Sequence, residues 1–283
     1  MGLETRAYVI ADVFTPTPLE GNQLAVFTDG ADLSDRLMQR TARELNLSET
    51  VFFLPAEQGG DARIRIFTPS GELPFAGHPV LGSAFVLGER LGSSAVRLET
   101  GAGVVPIELE RSGDEIVFGR MQQPVRSPEP FAQEAELLAA LGLEGSLLPV
   151  EAYRNGPLHV YVALESEEAV AALRPDGRAL SDIGEACANC FAGSGSRWKT
   201  RMFAPGLGVF EDPATGSAAG PLALHLARHG RIAYGDEIEI TQGVEIGRPS
   251  TLFARVVGSA EQIERVEVGG SAVVVARGEY RLA

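Results

Sequence analysis

The stretch Arg65–Ala84, RIFTPSGELPFAGHPVLGSA, decides the fold because a related stretch occurs again at Arg201–Ala218, RMFAPGLGVFEDPATGSA. Both stretches begin with arginine, an apolar residue and phenylalanine, with a proline two positions later. Both end in Gly-Ser-Ala, with another proline three positions before that glycine, and the second stretch is two residues shorter. An internal repeat of this kind indicates that the chain contains the same structural unit twice.

The length of the chain agrees with two units. At 283 residues it is long for one compact core. We predict an N-terminal lobe of residues 1–125 and a C-terminal lobe of residues 126–283, whose last strand is able to cross back to the first lobe. The segment Met121–Pro130, MQQPVRSPEP, contains three prolines and is predicted to link them.

Short runs rich in Val, Ile and Phe, bounded by Gly or Pro, predict strands in both halves. The predicted surface helices are Asp35–Leu45, Phe131–Leu141 and Ser181–Cys190. Two further helices, Pro79–Leu91 and Pro213–His229, are apolar on nearly all sides, which predicts helices surrounded by sheet. The predicted fold is therefore α+β, with two similar lobes related by a pseudo-twofold axis. Each lobe is a curved, mostly antiparallel sheet wrapped around one central apolar helix.

The two apolar helices begin alike, with His78-Pro79 in one and Asp212-Pro213 in the other. We predict that His78 and Asp212 cap the helices and that the prolines take the first helical position. Free amides and the positive dipole end make each helix start able to bind an anion. If both starts meet between the lobes, they form one carboxylate-binding cleft. The alternative is two ordinary capped helices packed in a core.

The halves differ at one position of chemical interest. The segment Asn46–Leu54, NLSETVFFL, puts Glu49 immediately before an apolar strand, and no similar segment stands in the second half. Partial burial raises the pKa of a glutamate towards the range of a general acid/base. Considered by itself, however, Glu49 is better explained as a solvated carboxylate at a strand start.

Charge and the N-terminus restrict the partners. The formal net charge of -14 repels nucleic acid and anionic membranes, so we predict neither as a partner. The first residues contain no basic region followed by an apolar one, and no apolar run approaches about 18 residues. We therefore predict a cytoplasmic protein.

The only cysteines, Cys187 and Cys190, are spaced as a redox pair or as half of a metal site. No second pair and no cluster of histidines completes a zinc set, so no metal is predicted. In the predicted helix Ser181–Cys190, both cysteines are expected to be small core residues.

Several short motifs, in order along nearly the whole chain, resemble those of the PhzF family of the diaminopimelate-epimerase superfamily. They are Asp12-Val13-Phe14 with Gly21-Asn22, Ser48-Glu49-Thr50, Phe75-Ala76-Gly77-His78-Pro79, Asp212-Pro213-Ala214-Thr215-Gly216-Ser217-Ala218 and Gly247-Arg248-Pro249-Ser250. The resemblance implies two α+β lobes with the active site between them, no cofactor, and a homodimer.

The resemblance also implies a site and an activity. Its catalytic residues fall on Glu49, His78 and Asp212. The residues expected to bind substrate are Gly77, Pro79, Thr215, Gly216 and Ser217. The implied activity is a cofactor-independent isomerase that shifts a proton on a small anionic substrate. The substrate is expected to carry a carboxylate and to be conjugated or cyclic, with Glu49 as the acid/base.

Other functions remain open. Racemases and epimerases of small acids in this superfamily use two cysteines in the helix-start turns, where this chain has His78 and Asp212, so we rank that function lower. A second alternative is a catalytically idle small-molecule-binding protein of the same fold. A third is a structural or partner-binding protein whose repeat reflects duplication alone. The presence of Glu49, His78 and Asp212 favours the isomerase.

Overall fold

The structure, a computed structural model, describes residues 4–124 and 127–282. The chain divides into two compact units. The first comprises residues 1–122 and 269–283, and the second comprises residues 123–268. Val125 and Arg126 of the predicted linker, and with them the predicted lobe boundary, lie outside the described residues.

Strands dominate both units. In chain order the elements are β1 (Glu4–Val13), β2 (Asn22–Phe27), α1 (Asp35–Leu45), β3 (Glu49–Leu54), β4 (Ala62–Phe67), β5 (Glu72–Leu73), α2 (Gly77–Leu91), β6 (Ala95–Thr100), β7 (Gly103–Ser112), β8 (Glu115–Gln123), β9 (Glu129–Pro130), α3 (Glu134–Leu141), β10 (Glu151–Arg154), β11 (Leu158–Ala163), α4 (Glu167–Ala172), α5 (Gly177–Asp182), β12 (Ala186–Ser194), β13 (Arg197–Ala204), β14 (Val209–Asp212), α6 (Gly216–Arg228), β15 (Glu237–Gln242), β16 (Ser250–Gly258), β17 (Ile263–Gly270) and β18 (Ala272–Leu282). Among the described residues, no helix combines the length and hydropathy that a membrane span needs.

The sheet of the first unit runs β18-β1-β2-β3-β4-β6-β7-β8, with β5 paired to one end of β4. Only the pairs β2–β3 and β4–β6 of these are parallel. The second unit has the order β9-β10-β11-β12-β13-β15, followed by β16, with β14 paired to β13. Its parallel pairs, β11–β12 and β13–β15, stand at the matching positions. The prediction of a mixed, mostly antiparallel α and β fold is confirmed.

The helices α2 and α6 are buried along most of their length. Every residue from Gly77 to Gly88 is buried, and so is every residue from Gly216 to Ala227. Helix α2 packs against β1, β2, β3, β6, β7 and β18 of its own unit. Because both helices are predominantly apolar all round, this burial is what their composition predicts.

Helix α6 continues across Pro221, which has no N–H to donate to the carbonyl of Ser217 four residues earlier. A side chain of the same unit replaces that donor, because Asn155 Nδ2 lies 2.8 Å from the Ser217 oxygen. Gln123 Nε2 donates to the neighbouring carbonyl of Gly216 at 2.8 Å, and Asn155 Nδ2 also donates to Gln123 Oε1 at 2.9 Å. An amide pair thus satisfies the first turn of a buried helix that contains a proline.

The predicted helix Ser181–Cys190 is wrong. Helix α5 ends at Asp182, and β12 begins at Ala186. Strand β12 lies between β11 and β13 and is buried from Ala186 to Ala192, so its apolar run does not alternate. A short apolar run of this kind does not distinguish a strand buried on both faces from a helix.

We predict coupling between Asn155 and Pro221. In the wild-type background, Asn155→Ala leaves the buried Ser217 carbonyl without a donor, at a cost of about 1–3 kcal/mol in unfolding free energy. In a Pro221→Ala background the restored helix amide can donate to Ser217, so the cost falls by about 1 kcal/mol. Urea unfolding of the four proteins in this cycle measures the coupling.

Gln123→Ala is the matched control for this cycle. Its partner carbonyl on Gly216 faces the amide of Gly220, which the substitution at Pro221 does not change, so no comparable coupling is expected. Equal costs of Asn155→Ala in both backgrounds would contradict the assigned role.

Candidate active site

The turn that joins α1 to β3 positions Glu49 at the start of β3. Ser34 Oγ accepts from the Leu37 amide at 3.3 Å to begin α1, and Asn46, at a left-handed φ of 53°, ends it. Glu49 then opens β3 opposite Leu24 of the parallel strand β2. Its side chain is only 14% exposed, so it is not the fully solvated carboxylate of the alternative explanation.

His78 contacts this glutamate. His78 Nε2 lies 3.3 Å from Glu49 Oε2, and the His78 side chain is 3% exposed. Burial lowers the pKa of His78 to about 3, so the imidazole is neutral at neutral pH. Its Nδ1 lies 3.2 Å from Asn22 Nδ2. With the Asn22 amide oriented in this way, Nδ1 accepts and the ring proton is on Nε2, although the 3.3 Å contact between Nε2 and Glu49 Oε2 does not have hydrogen-bond geometry.

A structured loop presents Asn22 at the start of β2. The buried Asp12 accepts from the Leu19 amide at 2.7 Å, and Phe14 adopts a positive φ of 65°. Gly21 has a φ of 65°, and a Cβ there would stand 2.4 Å from the Val13 oxygen. These contacts give a physical reason for the Asp-Val-Phe and Gly-Asn motifs.

The predicted helix caps are corrected by the structure. Ala76 is the N-cap of α2, so His78 is the second helical residue and Pro79 the third. Thr215 is the N-cap of α6, while Asp212 ends β14 and Pro213 precedes the helix. Neither cap residue makes a side-chain cap hydrogen bond. Both starts have the backbone geometry that favours an anion.

Asp212 is held by the turn that leads into α6. Its side chain is buried, and its Oδ2 accepts from Thr215 Oγ1 at 2.7 Å. Gln242 organises the same turn: its Nε2 donates to the Asp212 carbonyl at 2.8 Å and to Thr215 Oγ1 at 2.9 Å. Its Oε1 accepts from the Thr215 amide at 3.2 Å. Sequence reasoning missed Gln242, since no motif marks one glutamine at a strand end.

Gly243 lets a second loop approach this turn. It has a φ of +77°, and a Cβ there would stand 2.5 Å from the Pro213 oxygen and 2.3 Å from the Arg248 oxygen. The Arg248 amide donates to the Gly243 carbonyl at 2.9 Å. The Gly247–Ser250 motif therefore lies beside the turn that holds Asp212.

Ser217 is anchored by a buried histidine that sequence reasoning left without a role. Ser217 Oγ lies 3.0 Å from His159 Nε2, and His159 Nδ1 lies 3.4 Å from Asn189 Nδ2. Burial lowers the pKa of His159 to about 3 and keeps it neutral. The signal in the sequence was a polar residue within an otherwise apolar strand.

The sequence-predicted residues fall into two groups, one in each unit. Glu49, Gly77, His78 and Pro79 belong to the first, and Asp212, Thr215, Gly216 and Ser217 to the second. The structure brings Glu49 onto His78, and Asp212 onto Thr215. The meeting of the two groups in one cleft stays a prediction.

Strand register identifies the counterpart of Glu49 in the second unit. Glu49 pairs with Leu24 across β2 and β3, and Ala186 pairs with Leu158 at the matching position of β11 and β12. The second copy therefore has alanine where the first has its carboxylate.

The cysteines do not form a redox pair. Cys187 and Cys190 are both buried and lie three residues apart on β12, so their side chains point to opposite faces of the sheet. Burial raises the pKa of Cys190 to about 12, which keeps the thiol protonated. Both serve as core residues, as predicted, although on a strand.

One group of three potential metal ligands does occur among the described residues: Glu151, His225 and His229. This set is not visible in the sequence, because strand β10 and the end of α6 are far apart in the chain. None of the three is a predicted site residue.

We predict that Gly243→Ala destabilises the protein more than Gly142→Ala. Both glycines have a left-handed φ, 77° and 72°, so both substitutions cost about 1–2 kcal/mol of backbone strain. A Cβ at Gly142 meets no atom within 4 Å, whereas one at Gly243 meets two backbone oxygens. An additional loss of about 1–3 kcal/mol is expected for Gly243→Ala in urea unfolding. Equal decreases in unfolding free energy for the two variants would show that the turn at Gly243 accommodates a Cβ without strain.

We predict that stability falls as the pH decreases from about 6.5 towards 3. His78 and His159 titrate near 3 when folded and near 6.5 when unfolded, so only the unfolded chain binds their protons in this window. His159→Gln removes one such proton. The slope of unfolding free energy against pH between about 4 and 6 should then decrease by about 1.4 kcal/mol per pH unit. An unchanged slope in urea titrations would refute this.

The amino-acid sequence matches a known protein family and is similar to named relatives. The profile of the family described as phenazine biosynthesis-like protein matches residues 11–278. The trans-2,3-dihydro-3-hydroxyanthranilate isomerase of Pseudomonas aeruginosa is 57% identical over 275 residues, covering 97% of this chain and 99% of that protein. The isomerase of the same name from Pseudomonas fluorescens is 55% identical over 271 residues, covering 96% and 98%.

Solved structures share the fold. The phenazine biosynthesis protein of the PhzF family from Bacillus anthracis superposes with a TM-score of 0.83 at 26% identity, covering 98% of this chain and 99% of that chain. A hydroxyproline epimerase from Agrobacterium vitis gives a TM-score of 0.68 at 12% identity, covering 98% and 92%. The second likeness concerns the fold alone.

Proposed function

The chain belongs to the phenazine biosynthesis-like (PhzF) family and is an isomerase, and from this premise we propose that Glu49 moves a proton within a small carboxylate-bearing substrate. The observation that carries the proposal is the contact between Glu49 and the neutral, buried His78, 3.3 Å apart. A carboxylate with little solvent around it and an uncharged imidazole beside it suits a group that must both take and give a proton.

The proposed reaction balances without a co-reactant. The Glu49 carboxylate removes a proton from a saturated ring carbon, and the C–H electron pair enters the conjugated system that ends in the substrate carboxylate. The Glu49 carboxylic acid then returns the proton to a different carbon on the same face. Glu49 ends as the carboxylate with which it began, and nothing is oxidised or reduced. A cofactor is therefore not part of the proposal.

Negative charge that develops on the substrate needs donors fixed in advance. We propose that the starts of α2 and α6 supply them through backbone amides near Gly77, Gly216 and Ser217. Pro79 has no N–H and shapes the α2 start without donating. The proposal requires the two lobes to bring both helix starts to one cleft about a pseudo-twofold axis, as the repeat predicts.

Asp212 and His78 have different proposed roles. Thr215 donates to Asp212 Oδ2 at 2.7 Å and so fixes this carboxylate beside the start of α6, where we propose that it accepts from a hydroxyl or amino group of the substrate. His78, held by Asn22, keeps a neutral, buried imidazole 3.3 Å from the Glu49 carboxylate and limits the access of water to it. We propose that both orient the reaction while Glu49 carries the proton.

The names of the relatives suggest the substrate. Two proteins at 57% and 55% identity are named trans-2,3-dihydro-3-hydroxyanthranilate isomerases. We propose the same compound for this chain, since it is a cyclic, conjugated acid of the predicted class. The cytoplasmic location expected from the sequence and the homodimer implied by the resemblance are part of the same proposal.

Epimerisation is less well supported. Inversion of a stereocentre generally needs acid/base groups on both faces of the carbon. The second unit has Ala186 at the position of Glu49, and the cysteines lie in β12 outside both helix-start turns. These observations favour a shift on one face.

The test is proton exchange with solvent. With trans-2,3-dihydro-3-hydroxyanthranilate in deuterated water, the wild-type protein should incorporate deuterium at a ring carbon, detected by NMR or mass spectrometry. Glu49→Gln should slow the reaction by about 10²–10⁴-fold, because the amide cannot accept the proton. Its affinity for the substrate should remain within a few-fold of wild type.

Glu115→Gln is the matched control, since Glu115 also opens a strand but is exposed. It should react at the wild-type rate. If Glu49→Gln exchanges deuterium within tenfold of the wild-type rate, Glu49 does not have the proposed role. If the wild-type protein shows no reaction, the proposed substrate is wrong.

A further inference from the structure

Helix α6 carries a second polar cluster near its C-terminal end. His225 and His229 lie one helical turn apart, and Glu151 opens the strand β10 beside them. Glu151 Oε2 lies 3.1 Å from His225 Nδ1 and 3.2 Å from His229 Nε2. The three atoms lie within 4.8 Å of one another. His225 comes eight residues after Ser217, which is about 12 Å along the helix axis.

We propose that Glu151, His225 and His229 form a binding site for one divalent transition-metal ion. Zinc bonds of about 2.0–2.1 Å at tetrahedral angles put ligand atoms about 3.3 Å apart. The separations of Glu151 Oε2 from the two imidazole nitrogens match this value. Histidines four residues apart on one helix face are a known arrangement for zinc, and a carboxylate completes a three-ligand set.

The crowding around Glu151 favours a cation over a network of hydrogen bonds alone. Arg228 Nη1 and Tyr153 Oη also lie 2.7 Å and 3.0 Å from Glu151 Oε2. Four groups thus converge on one oxygen that has two lone pairs. A cation between Glu151, His225 and His229 would replace two of these four contacts with bonds to the metal.

The ligand types indicate which metals the site prefers, and the exposure of the ligands indicates how an ion reaches it. Two imidazoles with one carboxylate suit Zn²⁺, Ni²⁺ or Cu²⁺ better than Mg²⁺ or Ca²⁺, which prefer oxygen ligands. The side chain of His225 is fully buried, while that of His229 is 20% exposed and provides a solvent-facing entry. Water is the fourth ligand expected at the exposed side.

Arg228 opposes the cation. Its guanidinium is positively charged and contacts the same oxygen of Glu151, so binding of a metal must displace it or move it to the other carboxylate oxygen. Arg228 therefore sets the affinity, and its removal should strengthen binding. If the cluster is only a hydrogen-bond network, removal of Arg228 should not strengthen metal binding, because the network then merely loses one of its members.

The bound ion would connect β10 to the last turn of α6 and stabilise the second unit. A ligand that binds only the folded protein raises its stability in proportion to the logarithm of the ligand concentration. This role is independent of the proposed proton shift.

The test uses the full chain after treatment with a chelator. Calorimetric titration with Zn²⁺ should give one site per chain, and Co²⁺ should give the visible absorption bands of a four-coordinate complex. The melting temperature should rise with Zn²⁺ concentration. His229→Ala and Glu151→Gln should weaken binding at least about tenfold, and Arg228→Met should tighten it. The control Glu144→Gln removes an exposed carboxylate and should change nothing.

His229 is partly exposed, so His229→Ala is expected to fold, and its circular dichroism spectrum verifies this. Binding that survives in this variant would identify adventitious metal and overturn the proposal. Absence of one-to-one binding in the wild type, or weaker binding by Arg228→Met, would overturn it as well.

Discussion

A helix buried along most of its length cannot leave its polar backbone groups to water, and this constraint governs the second unit. Helix α6 also contains Pro221, which has no N–H to donate to the Ser217 carbonyl in the first turn of the helix. Side chains from other elements of the unit supply the missing partners: Asn155 and Gln123 at the carbonyls, and Gln242 at the turn before the helix. Gln242 does both tasks, because it satisfies this turn and also holds Asp212 and Thr215 of the candidate site.

The strands and most helices could be predicted from sequence because their signals are local. Helix α1 agrees in both ends with its prediction, since Ser34 and Asn46 mark them. The matching positions of the parallel strand pairs in the two units agree with the internal repeat. Strand β12 could not be predicted, because burial on both faces removes the alternation on which strand prediction depends.

Only the site residues that stand in local sequence motifs could be predicted. Glu49 and His78 stand in short motifs, and the structure puts them in contact. Gln242 and His159 act on residues far away in the chain, and only the folded sheet brings them to Thr215 and Ser217. The helix caps were mistaken because a proline in a helix start was assigned to the first position, whereas Pro79 is third and Pro213 lies outside. Motifs identify such residues without fixing their place in the helix.

The pairing of β18 with β1 has a consequence for how the protein is made. These strands run antiparallel from Glu4 opposite Leu282 to Val13 opposite Ala272, so the first sheet takes one strand from each end of the chain. During synthesis the whole second unit emerges before β18 does. The nascent first unit therefore has an open strand edge at β1 until Ala272–Leu282 leave the ribosome and pair with it.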